Sequence, residues 1–132
     1  MSTAALIRSE PMSDPFSARS IAALRAEVAA VLDRPQDVRL DAIRAIGGRS
    51  AMRLVCAALG VPRRDWAMFS RWAWLGDDDA RASLGAYVDV MVADRCYRQA
   101  DDLLTDLVVA DVDVDGLTCD DLRALVVALV AA

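Results

Sequence analysis

The closing stretch LTCDDLRALVVALVAA, Leu117 to Ala132, constrains the fold more than any other part of the chain. It opens as a well-made helix: the Thr118 hydroxyl can cap it, and Asp121, three residues on, can return a hydrogen bond to the cap N–H. Beyond that start no Gly, Asn, Pro or basic residue interrupts the final nine residues, which are only Ala, Leu and Val. A helix that is apolar on every side has to be enclosed by protein or by lipid. Nine apolar residues fall far short of the roughly 20 that a bilayer requires. Enclosure by protein is therefore the expectation.

A chain of 132 residues corresponds to a single domain, residues 1–132. It is 56% hydrophobic with a positive mean hydropathy of +0.29. So small a domain normally carries more polar surface; either a helix-rich composition biased to alanine and arginine accounts for this, or part of the apolar surface is meant for structure outside this chain. The net charge of −5 argues against nucleic acid, because phosphate neutralisation needs a concentrated basic face. All 15 basic residues are Arg, scattered and mostly beside acids. Cys56, Cys96 and Cys119 are odd in number and far apart, which fits a reducing, cytoplasmic setting better than a disulfide framework. Arg8 and Glu10 interrupt the N-terminal segment before a signal-peptide core can form.

Punctuation and periodicity predict about six helices and no convincing strand: an all-α, irregular helical assembly. Pro11 and Pro15 keep residues 1–16 irregular, and a helix opens at Ser17 with Ile21, Leu24, Val28, Val31 and Leu32 on one face. RLDAIRAI reads as a short, weak helix or turn, broken by Gly47 and Gly48. The next helix puts Met52, Val55, Cys56 and Leu59 on one stripe and ends at Gly60. Pro62 suits the first turn of a helix that ends at Gly76. Asp77, Asp78 and Asp79 favour the start of another, with Leu84, Val88, Met91 and Val92 inward. ADDLLTDLVVA is a further short helix, and DVDVDG is the loop before the last one.

Three segments resemble bacterial cytochromes P450. FSARSIAALR is similar to that family's helix entry of Phe, Ser or Thr, Pro, Arg, then Ile or Val and Leu-Arg. MRLVCAALGVPRRDW resembles its apolar helix, Leu-Gly-Val-Pro and following Asp. DDLLTDLVVADVDVDGLTCDDLRALVVALVAA resembles the stretch that leads into its long central helix. Order and approximate spacing agree from Phe16 to Ala132. The resemblance implies that residues 17–132 are a helical fragment of that fold, holding substrate-recognition helices and the start of the central helix. It also implies that the chain stops before the segment that handles bound oxygen, and that the surroundings of its last helix lie in a missing C-terminal half.

The family reaction is haem-dependent monooxygenation of an apolar substrate, with electrons from a redox partner. The resemblance implies a thiolate on iron, held in a late Phe-x-x-Gly-x-x-x-Cys-x-Gly loop. None of the three cysteines sits in such a loop. Cys56 falls on an apolar stripe, Cys96 lies among Arg95, Tyr97 and Arg98, and Cys119 sits at a helix start beside Asp120 and Asp121. The only glutamates, Glu10 and Glu27, lack an Arg three residues on, and there is no His. His-based triads are thereby excluded. No haem or other cofactor and no metal is expected for this chain alone.

Two further groups attract attention. Asp111, Asp113, Asp115 and Gly116 copy the first half of an EF-hand loop, but the twelfth position is Leu122, so an acidic solvated turn is the expectation. Trp66, Phe69 and Trp72 fall at helical spacing, with Trp74 pointing elsewhere. Their helix helps to roof the substrate pocket in the family, although plain packing accounts for them as well. With Leu125 and Leu129 they form the candidate apolar pocket or partner surface. The expected function is a truncated P450-like protein, by itself unable to bind haem or catalyse. The alternative is a helical interaction module that self-associates, or binds a partner, through its C-terminal helix.

Overall fold

A computed structural model describes residues 18–113 and 118–131. Among the described residues there are seven α-helices: α1 (Ala18–Leu32), α2 (Gln36–Gly48), α3 (Met52–Leu59), α4 (Trp66–Leu75), α5 (Asp78–Tyr97), α6 (Leu103–Asp113) and α7 (Cys119–Val130). A 3-10 turn, Arg63–Asp65, leads into α4, and no strand occurs among the described residues. The all-α expectation holds. The irregular stretch 1–16 and the helix opening at Ser17 lie outside the described residues.

Most helices begin and end where their residues dictate. Asp77 caps α5 by accepting from the Ala80 N–H at 2.8 Å. Thr118 and Asp121 complete the capping box of α7: Thr118 Oγ1 accepts from the Asp121 N–H at 3.2 Å, and Asp121 Oδ2 from the Thr118 N–H at 2.9 Å. Gly60 and Gly76 end α3 and α4 in left-handed conformation. Pro62 precedes the 3-10 turn rather than opening α4 itself. Helix α6 continues through Asp113, so the acidic stretch is helical for its first three residues, and 114–117 lie outside the described residues.

RLDAIRAI requires correction. It is no weak turn but part of the 13-residue α2, which runs through Gly47 and Gly48. Each glycine costs a helix about 1 kcal/mol relative to alanine. Burying Ile43 and Ile46, left 1% and 5% exposed, more than offsets that, at roughly 1.5–3 kcal/mol per side chain. Helix α2 packs extensively against α7 and also against α1, and α5 bears on α7 as well.

The same packing overturns the expectation for the last helix. Leu122, Leu125, Val126, Ala128, Leu129 and Val130 are all buried. The apolar cylinder thus finds its enclosure inside this chain, between α2 and α5, with α3 and α6 touching it too. Leu125 and Leu129, expected to face a partner, belong instead to one core with Leu24, Val28, Leu59, Phe69, Leu84 and Leu107.

A second fixture joins the remaining helices. The Arg95 guanidinium at the end of α5 donates to Asp102 Oδ2 through Nε at 3.0 Å and lies 2.9 Å from it through Nη2. Nη1 reaches Asp94 at 2.7 Å, and Nη2 also points at the Gly60 carbonyl, 3.4 Å away. Asp102 is buried, and its other oxygen accepts from the Thr105 N–H at 2.9 Å, capping α6. Arg25 of α1 makes a two-pronged contact to Asp106 of α6 at 2.7 and 2.8 Å, plus a bond to Asp101 at 2.8 Å.

This packing sets the response to four changes. Leu129→Ala should lower the unfolding free energy by about 2–5 kcal/mol, read from urea titration, because it opens a cavity in the core. Deleting residues 126–132 should unfold the chain, and a deletion variant that still melts cooperatively would disprove this account of α7. Gly60→Ala should be just as damaging. Its φ is +85°, and an added Cβ would overlap Asp102 Oδ2 and sit 2.7 Å from Arg95 Nη2. The same change at Gly48, which has nothing within 4 Å, should be neutral or mildly stabilising in thermal melts.

Candidate functional site

Three of the five candidate residues meet on α4. Phe69 is wholly buried, with its ring centroid 5.7 Å from Trp72 and 5.1 Å from Tyr87, the latter edge-on at 87°. Trp72 and Tyr87 close the trio at 6.1 Å. Such tilted pairs add about 0.5–1.5 kcal/mol each beyond burial. Trp66 is half-buried: its indole N–H donates to the Val61 carbonyl at 2.8 Å, and Arg63 stacks over the ring 5.2 Å from its centroid. Trp74 points away and is 84% exposed.

Tyr87 was not singled out in the sequence, though it follows the inward Leu84 by three residues on α5. Its hydroxyl donates to Asp65, and burial together with that carboxylate pushes its pKa up to about 12. With Phe69 leaving no accessible surface, the aromatic trio is a packed joint between α4 and α5. Leu125 and Leu129 sit on α7, in the packing against α2 and α5, and are likewise buried. The five residues share the core but form no common exposed surface.

The cysteines decide what redox chemistry the chain can support. Cys56 is fully buried on α3, and desolvation pushes its thiol up to about 12. A sulfur held protonated at neutral pH makes a poor thiolate ligand. Cys96 and Cys119 are free and exposed, one near the end of α5 and the other at the start of α7. Neither is enclosed by a loop that would shield an iron–sulfur bond, and the chain has no His. Among the described residues no group of three or more His, Cys, Asp or Glu could hold a metal ion. The acidic side chains from Asp111 to Asp115 lie outside those described.

Cys56 has a measurable signature. The unfolded chain releases its thiol proton near pH 9, whereas the folded chain keeps it to about pH 12. The stability tied to the neutral thiol is therefore whole below pH 9 and is lost as pH rises toward 12. Tyr87 adds a loss of the same sign from its ordinary value of 10 upward. A Cys56→Ala variant should lose stability less steeply than the native chain over this range in urea titrations. Equal slopes would refute burial of a protonated thiol.

No family model matches the sequence. The chain is, however, 26% identical over 119 residues to the methyl-branched lipid omega-hydroxylase of Mycobacterium tuberculosis, covering 80% of this chain and 28% of that protein. It is 32% identical over 108 residues to cytochrome P450 130 of the same organism, covering 66% and 27%. Its fold matches that of SgvP, described as a thioether synthase in the tailoring step of griseoviridin. The TM-score is 0.56 at 23% identity, across 98% of this chain and 37% of SgvP. The chain thus spans little more than a quarter of the curated relatives it matches. In sequence and in fold, the chain resembles a helical segment of the cytochromes P450.

Proposed function

We propose that this chain supplies a substrate-facing helical part of a P450-like protein and does not itself carry the haem-thiolate chemistry of that family. The observation that supports this reading most directly is the state of its sulfurs. Similarity to P450 relatives covers up to 80% of the chain, yet Cys56 is a buried, protonated core thiol and the other two cysteines are open to solvent. Haem, where a P450 binds it, activates oxygen for insertion into an apolar substrate. The aromatic residues of α4 that would serve that reaction are the half-buried Trp66 and Trp72, which keep apolar surface to offer a substrate, while Phe69 is wholly buried. A C-terminal portion carrying the cysteine loop, and a redox partner to deliver electrons, complete the activity. Free thiols at Cys96 and Cys119 suit a reducing cytoplasm, and no described helix is long and apolar enough to cross a membrane.

The rival reading, a helical module that self-associates or binds a partner through its last helix, has no support from Leu125 and Leu129, which are buried within the chain, and would have to use the more open Ala124 and Val127.

The test is spectroscopic. Purified protein mixed with haemin, reduced and exposed to carbon monoxide, should lack the red-shifted Soret band of a thiolate complex. A stoichiometric band of that kind, lost in one of the variants Cys56→Ala, Cys96→Ala or Cys119→Ala, would overturn the proposal.

A further inference from the structure

One face of α7 is not absorbed by the core. Ala124 is exposed, and Val127 and Ala131 are half-buried. These residues line three adjoining open depressions that share Ala124 and together make a shallow groove. Its widest part, about 530 Å³, lies between α7 and the Arg81–Asp89 stretch of α5, and Leu40 of α2 forms the opposite wall. Gly85 keeps the α5 wall low. A Cβ there would come within 3.3 Å of Arg123 Cδ, and without one Arg123 lies across α5 to reach Asp89 at 3.0 Å.

The rim of this groove is positive in a chain whose net charge is −5. Arg39 and Arg44 stand on the α2 side, with Arg81 and Arg123 on the other. Arg44 is paired with Asp41 at 3.2 Å, and Arg123 with Asp89 and Asp120. Arg39 donates only through Nε, to the Arg34 carbonyl at 3.1 Å. Neither Arg39 nor Arg81 meets a carboxylate among the described residues. Of the acids in the groove, Asp89 is taken by Arg123 and Asp121 by the capping box. Unbalanced positive charge therefore remains on both walls above an apolar floor.

We propose that this groove docks an acidic amphipathic helix of a partner polypeptide. Small apolar side chains of that helix seat on Ala124, Val127 and Ala131, and its carboxylates face Arg39 and Arg81. From Asp121 to Ala131 the floor is about 15 Å long, enough for three helical turns. An open trough with an apolar floor and charged rims suits a helix laid along it. Two copies meeting groove to groove would set Arg39 and Arg81 against their own counterparts, so the charge favours a different, acidic partner. A flat membrane cannot follow a concave floor, and apolar alanines offer nothing to a phosphate backbone.

The probe is a fluorescent synthetic helix of about 14 residues, with an Ala/Leu seam and Glu on both flanks. A second peptide replaces every Glu with Lys. In anisotropy titrations the Glu peptide should saturate the full chain while the Lys peptide does not. The double variant Arg39→Glu/Arg81→Glu should weaken the Glu peptide about tenfold or more, with an affinity loss that shrinks at high salt. Ala124→Trp, which fills the groove from an exposed position, should abolish binding, with circular dichroism melts confirming the fold. Should Ala124→Trp fail to fold, the arginine double variant decides alone. The proposal is overturned if the Glu peptide does not saturate, if the Lys peptide binds equally, or if folded Ala124→Trp binds unchanged. It is also overturned if the native chain alone sediments as a dimer that Ala124→Trp dissociates, which would assign the groove to a second copy.

Discussion

Everything in this fold is arranged around the need to cover a helix with almost no polar side. Helix α7 has Asp120, Asp121 and Arg123 in its first turns and only Ala, Leu and Val beyond them. Left in water, each of its large side chains would forgo roughly 1.5–3 kcal/mol, which in sum rivals the whole stability of a small domain. The chain meets this by laying α2 along one side of α7 and α5 along another, while α3 and α6 fill in behind. The short connections make this feasible. Only three residues separate α1 from α2, and three separate α2 from α3, so α2 is held beside the helix it must cover.

Enclosing α7 leaves a polar problem at the far side of the core, where α3, α5 and α6 converge. There the chain buries a carboxylate, Asp102, and surrounds it with Arg95 and the Thr105 N–H, and no buried side-chain polar atom is left without a partner among the described residues. A buried ion pair contributes little net stability compared with an apolar substitute. Its value lies in geometry: the carboxylate caps α6, and the guanidinium holds the turn at Gly60. Arg25 repeats the device at the surface, fixing α1 to α6 through Asp106.

The sequence was most informative where local chemistry decides the outcome. The capping box at Thr118, the left-handed ends at Gly60 and Gly76, and the inward stripes of α3 and α5 were all visible in residue type and spacing. The readings that failed were those settled by distant contacts. Gly47 and Gly48 promise a break, and the burial of Ile43 and Ile46 in a core to which α1 and the distant α7 both contribute keeps α2 intact. For the same reason α7 looked orphaned, because its cover comes from segments whose own patterns are weak. At the site, the spacing of Trp66, Phe69 and Trp72 put three rings on one helix, but only Phe69 and Trp72 join the observed cluster. The third ring of that cluster, Tyr87, comes from another helix, and no local pattern linked the two.

The knot at Gly60 also bears on how such a chain can change over generations. Residue 60 must lack a side chain because Asp102 and Arg95 occupy the space beside it, and Asp102 must be an acid because Arg95 is fixed there. Replacing Gly60 first creates a clash, replacing Arg95 first strands a buried carboxylate, and replacing Asp102 first leaves Arg95 with Asp94 alone and α6 without its cap, so each single step costs stability. Three positions separated by 35 and 7 residues therefore behave as one heritable character, expected to persist together or to be replaced together.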